Sequence, residues 1–202
     1  MPPVTTSMDA AVVERSIDQR VVLYGVDWSQ YEAVLAIRGE SAAVRIAYLE
    51  GVLELMSPSQ EHERLKTTLA RLVEAYAEEL GLELEGIGSW TLKRQEHERG
   101  VEPDECYSLG PVREVPDLAL EVIWTNGGLD KLEIYRRLGV DEVWLWRRGE
   151  IEVYVLHGDR YERAPRSELL PQIDLALVRS LLDAPSQSAA VRELRARLRQ
   201  RG

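Results

Sequence analysis

Residues 115–124 read VPDLALEVIW, and this run decides the fold. From Leu118 to Trp124 every residue is apolar except Glu121. A strand with one wet face alternates apolar with polar residues, whereas a strand covered on both faces reads as a continuous apolar run. The run therefore predicts a central strand of a sheet. TNGG at 125–128 breaks it, and LDKLEIYRRLG (129–139) follows as a helix closed by Gly139. DEVWLWRR (141–148) and EIEVYVL (150–156) then form a hairpin turning at Arg148-Gly149, and DRYER (159–163) adds a short strand.

Upstream, Asp27 is a good N-cap for WSQYEAVLAIRG, a helix that stops at Gly39. VRIAYLE (44–50) and VLELMS (52–57) read as strands joined near Glu50-Gly51. After Ser57-Pro58-Ser59 comes the clearest helix. Leu65, Leu69, Leu72, Val73, Tyr76 and Leu80 lie along one stripe at helical period, and Gly81 ends it. LELEG (82–86), SWTLKR (89–94) and VEPDECYSL (101–109) read as three further strands. Leu175–Leu182 reads as a short helix, and residues 188–200 as an Arg-rich surface helix beyond the breaker DAPSQS. The order predicts an α/β (α+β) fold, a mixed central sheet flanked by helices. The chain divides into a poorly ordered lead-in (1–20), one domain (21–183) and an Arg-rich helical tail (184–202).

Glu121 is the first candidate for chemistry. An isolated buried carboxylate costs several kcal/mol unless a partner or a metal compensates, so it is either half of a structural ion pair or a functional acid. Asp104, 17 positions earlier in VEPDECY, would sit on an adjacent antiparallel strand, within reach of one cation. Pro-Asp is also a common turn dipeptide, and the chain has a second one at Pro116-Asp117. Lys131 shares a helical face with Ile134, Tyr135 and Leu138. A lysine on an apolar stripe either snorkels to water or points at something anionic. Glu61 and His62 open the long helix at the border of its buried stripe, where an acid is also favoured by the helix dipole alone. His97 and His157 fall in polar contexts and receive no role. Trp90, Trp124, Trp144 and Trp146 all lie in strand-like runs and read as core.

Together, LEGVLELMSPSQEHERL, VEPDECY, VPDLALEVIW and DKLEIYRRLGVDEVWLW resemble the bacterial Uma-two family, restriction-endonuclease-like proteins of the PD-(D/E)xK nuclease superfamily. The resemblance covers roughly residues 40–160. It implies a restriction-endonuclease-like sheet between helices, with Asp104 as the Pro-Asp acid and Glu121 as the second acid. The superfamily's lysine lies two positions after that acid, which here is Ile123. The resemblance places it instead on the next helix, at Lys131. Glu61 and His62 match the start of the family's first core helix. Many relatives carry Ser at the position of Trp124. The implied function is Mg²⁺- or Mn²⁺-dependent cleavage of nucleic acid, DNA rather than RNA. Asp104 and Glu121 would be the metal ligands, Lys131 would orient water, and Glu61 and His62 would assist. Two readings compete: a catalytically idle nuclease-fold module for nucleic-acid binding or assembly, and a structural protein in which Glu121 and Lys131 are merely paired.

Composition sets the limits. The 202 residues are 45% hydrophobic, enough to bury a real core. No apolar run approaches the roughly 18 residues that span a bilayer, the start MPPVTTSMDA has no export pattern, and a single cysteine, Cys106, excludes an internal disulfide. These features predict a cytoplasmic protein with no membrane partner. The net charge of -10 is a poor match for a broad DNA-binding face. The last eleven residues nevertheless carry five Arg and one Glu. A homodimer that assembles a groove is the expected solution, with Lys93, Arg94, Arg113 and the Arg-rich tail as candidate phosphate contacts.

Overall fold

A computed structural model describes residues 17–41, 43–124 and 128–201. Most of the expected lead-in and the TNGG breaker, except for Gly128, lie outside the described residues. The elements are β1 (Gln19–Tyr24), α1 (Trp28–Arg38), β2 (Arg45–Leu49), β3 (Val52–Ser57), α2 (Gln60–Leu80), β4 (Leu84–Gly86), β5 (Leu92–Arg94) and β6 (Arg99–Val101). They continue as β7 (Glu105–Leu109), β8 (Leu118–Ile123), α3 (Lys131–Leu138), β9 (Glu142–Arg147), β10 (Glu150–His157), β11 (Arg160–Ala164), α4 (Leu175–Leu181) and α5 (Gln187–Arg201).

The mixed sheet flanked by helices is present, but it does not stand alone. Among the described residues the strands form two sheets. One has five strands in the order β1-β3-β2-β6-β5, and the other six in the order β11-β10-β9-β8-β7-β4. The second is the mixed one. β8 pairs antiparallel with β7 and parallel with β9, in register Leu118↔Glu142 to Ile123↔Arg147. A parallel partner requires a crossover, and α3 provides it.

β8 is covered on both faces, as its apolar run predicts. Leu118, Leu120 and Val122 pack with α2, α4 and α5 in one core cluster. Ala119 packs on the opposite face with Ile134, Tyr135 and Leu138 of α3, together with Ala47, Leu92 and Val101 of the other sheet. α3 is thus wedged between the two sheets. A third cluster seats Tyr31 of α1 on Ile46, Tyr48 and Leu53.

The local signals act as their chemistry requires. Asp27 caps α1 in a capping box with Gln30, and Ser59 caps α2 by accepting the His62 amide. Glu50 and Gly51 both have positive φ (44° and 85°), the conformation of a two-residue hairpin turn. Three expectations are corrected. The described end of the lead-in is ordered: Asp18 is buried, and Gln19 and Arg20 open β1 against β3. VEPDECYSL is not one strand: it leaves the first sheet after Val101 and enters the second at Glu105, held at the crossing by Glu102, which accepts the Ile46 amide at 3.0 Å and pairs with Arg38. Trp90 is not core but 59% exposed. It precedes β5 rather than lying in it, so no neighbouring strand covers it.

Candidate active site

The site is assembled where the two sheets meet. Asp104 stands just before β7, at the crossing between sheets. Extending the β7–β8 register by one step (Glu105↔Leu120) sets it opposite Glu121. Glu121 shares a face of β8 with Ala119, and therefore looks toward α3. Lys131 is the first residue of α3 and Tyr135 lies one turn later. His62 lies in the first turn of α2. All five groups converge, although they come from four separate stretches of chain.

The contacts are short and buried. Lys131 Nζ donates to Glu121 Oε2 at 2.5 Å, and the Tyr135 hydroxyl donates to Glu121 Oε1 at 2.5 Å. Asp104 Oδ2 accepts the Val122 amide at 2.8 Å. His62 Nε2 faces Asp104 Oδ1 at 3.0 Å, but outside hydrogen-bond alignment, so neither atom has a hydrogen bond of its own. On the other side of the ring, Nδ1 lies 2.9 Å from Asp18 Oδ2, and Asp18 Oδ1 accepts the Ser59 amide at 2.8 Å. Asp18, His62, Asp104, Glu121 and Tyr135 are all buried, and Lys131 keeps a small exposed fraction.

The charge states follow from these neighbours. Burial alone would raise the Asp104 carboxyl, yet the His62 contact and the nearby Lys131 ammonium outweigh it and hold it at about 2. Burial opposes a charge on His62, but Asp104 and Asp18 flank the ring and raise it to about 9. Glu121 goes the other way. Burial, reinforced by Asp104, pushes its carboxyl up to about 7 in spite of Lys131. Lys131 loses hydration, yet Glu121 and Asp104 hold its ammonium above its ordinary range. The site thus pairs one firmly ionised acid with one poised acid.

Lys131 links this buried cluster to the surface. It lines a cleft of about 360 Å³ with Ile123, Leu129, Leu145 and Arg147. It also lines a void of about 30 Å³ beside Arg20, Glu54 and Val122. Glu54 accepts the Leu129 amide at 3.1 Å and pairs with Arg20 at 3.4 Å. Gly128 (φ 112°) lies so close to this pair that any Cβ there would strike Glu54 and Arg20.

The structure brings Asp104, Glu121, Lys131 and His62 into one cluster. Glu61, beside His62 at the start of α2, makes no hydrogen bond or ion pair with these four among the described residues, and its Oε2 is buried without a hydrogen-bond partner. Asp117 sits at the opposite end of β8, where it accepts the Leu109 amide at 2.8 Å and pairs with Arg113. Sequence reasoning missed Asp18, Glu54 and Tyr135. Glu54 carried a usable signal, since it is the lone charge in VLELMS just as Glu121 is in LALEVIW. Asp18 carried none.

Two carboxylates facing each other across a strand pair are suited to a hard divalent cation, which takes oxygen ligands and keeps several waters. Asp104 Oδ1, buried and without a hydrogen bond, is the atom with coordination capacity to spare. Among the described residues no group of three or more His, Cys, Asp and Glu side chains is arranged to cage a metal, so the protein would supply only a partial ligand shell. Among the same residues no helix is long and apolar enough to cross a membrane.

Comparison with known proteins adds the context. Residues 28–184 match the sequence profile of the Uma2 family, described as "Putative restriction endonuclease". No curated protein matches the chain. A solved structure described as "a putative nuclease belonging to DUF820" from Anabaena variabilis ATCC 29413 is similar over 68% of this chain and 90% of that one. Its sequence identity is 13% and its TM-score 0.49.

Proposed function

This chain belongs to the Uma2 family of restriction-endonuclease-like proteins, and on that premise we propose that it is a metal-dependent nuclease that hydrolyses phosphodiester bonds, with DNA as its substrate. One observation carries the reading: Asp104 and Glu121 come together from neighbouring strands with Lys131 between them and the surface cleft. Asp104 and Glu121 would hold Mg²⁺ or Mn²⁺, with Asp104 Oδ1, which faces His62 Nε2 at 3.0 Å without an aligned hydrogen bond, as the ligating oxygen. When bound, such an ion supplies Lewis acidity toward the phosphate.

The protein's own groups do the rest. Lys131 carries a positive charge from the buried acids to the cleft wall, where it can orient water and offset charge gathering on phosphate oxygens. Tyr135 fixes Glu121 through Oε1 and Val122 fixes Asp104 through Oδ2, so both carboxylates are held before substrate arrives. His62 faces Asp104 Oδ1 at 3.0 Å and helps to keep that carboxylate ionised. Glu61, with a buried oxygen to spare, is proposed to act through water.

A Mn²⁺-dependent cleavage assay on plasmid DNA, with RNA in parallel, tests this reading. Asp104→Ala and Glu121→Ala each abolish cleavage while circular dichroism shows a retained fold; full activity in either variant removes the assignment. A second reading, a catalytically idle nuclease-fold module, draws on one observation: both Glu121 oxygens are already bonded, to Lys131 and Tyr135. An idle module would bind DNA without cutting it.

A further inference from the structure

We propose that Asp18 is a positioning residue for this site: by accepting the Nδ1 proton of His62 it fixes the imidazole, and through the imidazole the Asp104 carboxylate. The proposal rests on the nuclease reading for its consequence, but not for its geometry.

The family's matched region begins at residue 28, so Asp18 belongs to a segment that precedes it. That segment is firmly attached. β1 pairs with β3 from Gln19↔Ser57 to Tyr24↔Val52. Asp18 stands one residue before β1, with its side chain only 2% exposed. Its two oxygens do different work. Oδ1 takes the Ser59 amide at 2.8 Å, which anchors the carboxylate to the start of α2, and Oδ2 takes His62 Nδ1 at 2.9 Å.

An ionised carboxylate only accepts hydrogen bonds. Asp18 therefore requires a proton on Nδ1 and sets which edge of the ring faces Asp104. The Nε2 edge then stands 3.0 Å from Asp104 Oδ1, while the Val122 amide holds Oδ2. With one oxygen fixed by backbone and the other faced by a locked ring, the plane of the Asp104 carboxylate is determined. Without Asp18 the ring has no partner on its outer edge to hold the Nδ1 proton or set its orientation. This is the role that outer groups play for ligating residues elsewhere, where their loss lowers activity or affinity about 10- to 100-fold.

Asp18→Asn tests the proposal. It keeps the volume and the acceptor for the Ser59 amide, and turns an amide NH₂ toward Nδ1. Three quantities are read on the full chain: the downfield proton on His62 Nδ1, assigned by its loss in His62→Gln; the side-chain carboxyl ¹³C resonance of Asp104; and kcat and KM for Mn²⁺-dependent plasmid cleavage. In the wild type the Nδ1 proton is visible. In Asp18→Asn it disappears, the Asp104 resonance moves, and kcat falls about 10- to 100-fold with KM changed less than about twofold. Val21→Ser, on the exposed side of the same strand, leaves all three at wild-type values. Absence of the Nδ1 proton in the wild type overturns the proposal even if no variant can be purified. An unmoved Asp104 resonance with unchanged kcat in Asp18→Asn overturns it too, leaving Asp18 as a strand anchor. If the wild type cuts no nucleic acid, the nuclease reading fails alone, and the two resonances still decide the case for Asp18.

Discussion

Asp104 and Glu121 are both buried carboxylates, yet burial ends differently for them. Asp104 has a cationic ring and a backbone amide and stays ionised down to about pH 2. Glu121, deeper among apolar neighbours and close to Asp104, holds its proton up to about 7. The linkage signs follow. An acid raised from 4.5 to about 7 costs stability when it ionises, so stability is lost as the pH climbs through that window. His62, raised from 6.5 to about 9, contributes stability that is complete below 6.5 and lost as the pH rises through about 9. In chelator, thermal melts should therefore show two losses, each on the order of a few kcal/mol at most. Glu121→Gln should remove the one between pH 4.5 and 7, and His62→Asn the alkaline one. Wild-type slopes in both variants would contradict these environments. Lys131→Met removes the charge that favours ionised Glu121, so Glu121 keeps its proton to higher pH, and the loss in urea denaturation should grow as the pH rises above about 7. Adding Glu121→Gln should recover much of that loss.

Among the elements, those defined by their own sequence were legible. α2 was visible from its stripe and its cap, and the β9–β10 turn from Arg148-Gly149. α3 was visible from Ile134, Tyr135 and Leu138, all of which are buried. Elements defined by their neighbours were not. VEPDECYSL has strand composition throughout, and only the packing of two sheets shows that it breaks at Asp104. The C-terminal helix was read as a surface helix, and its polar face is one. Its other face buries Ala190 and Leu194 against the α2 cluster, while Arg195 pairs with Glu78 and Arg199 with Glu79 at 2.9 Å. Burial and charge can be separated here. Leu194→Ala should cost about 2–5 kcal/mol, whereas Arg195→Ala should cost no more than about 1 kcal/mol, because exposed ion pairs contribute little. Equal losses in denaturant would mean that the ion pairs, not the apolar seam, hold α5.

For the whole molecule the issue is charge. The chain carries -10, and several of the cations expected to meet phosphate are already paired. Lys93 binds Glu32 at 2.8 Å, Arg113 binds Asp117, and Arg195 and Arg199 bind α2. Nucleic acid must therefore compete for them or meet a surface shared between two copies. Sedimentation of the protein with and without a DNA duplex would reveal the expected homodimer. Binding should weaken about tenfold between 50 and 200 mM salt even if only two phosphates are neutralised; a constant indifferent to salt would rule out phosphate-dominated contact. In chelated protein, Mn²⁺ at 100 times its dissociation constant should raise stability by about 2.7 kcal/mol. A melting curve that ignores the metal would favour the structural pairing of Glu121 with Lys131.

The sequence by itself determined the helices and the hairpins, the central place of β8 and the identity of Asp104, Glu121 and Lys131 as groups needing an explanation, but not β1 or the break in VEPDECYSL. It could do so because those facts are local: periodicity, caps, and a charge stranded in an apolar run. Only the tertiary structure decided that Asp18, far from Asp104 along the chain, shares an imidazole with it, that Tyr135 closes the shell of Glu121, and that the site lies between two sheets rather than on one. Those contacts join residues that carry no mark of one another in sequence. They exist because burial leaves each charge no water to fall back on, and the fold must bring it a partner.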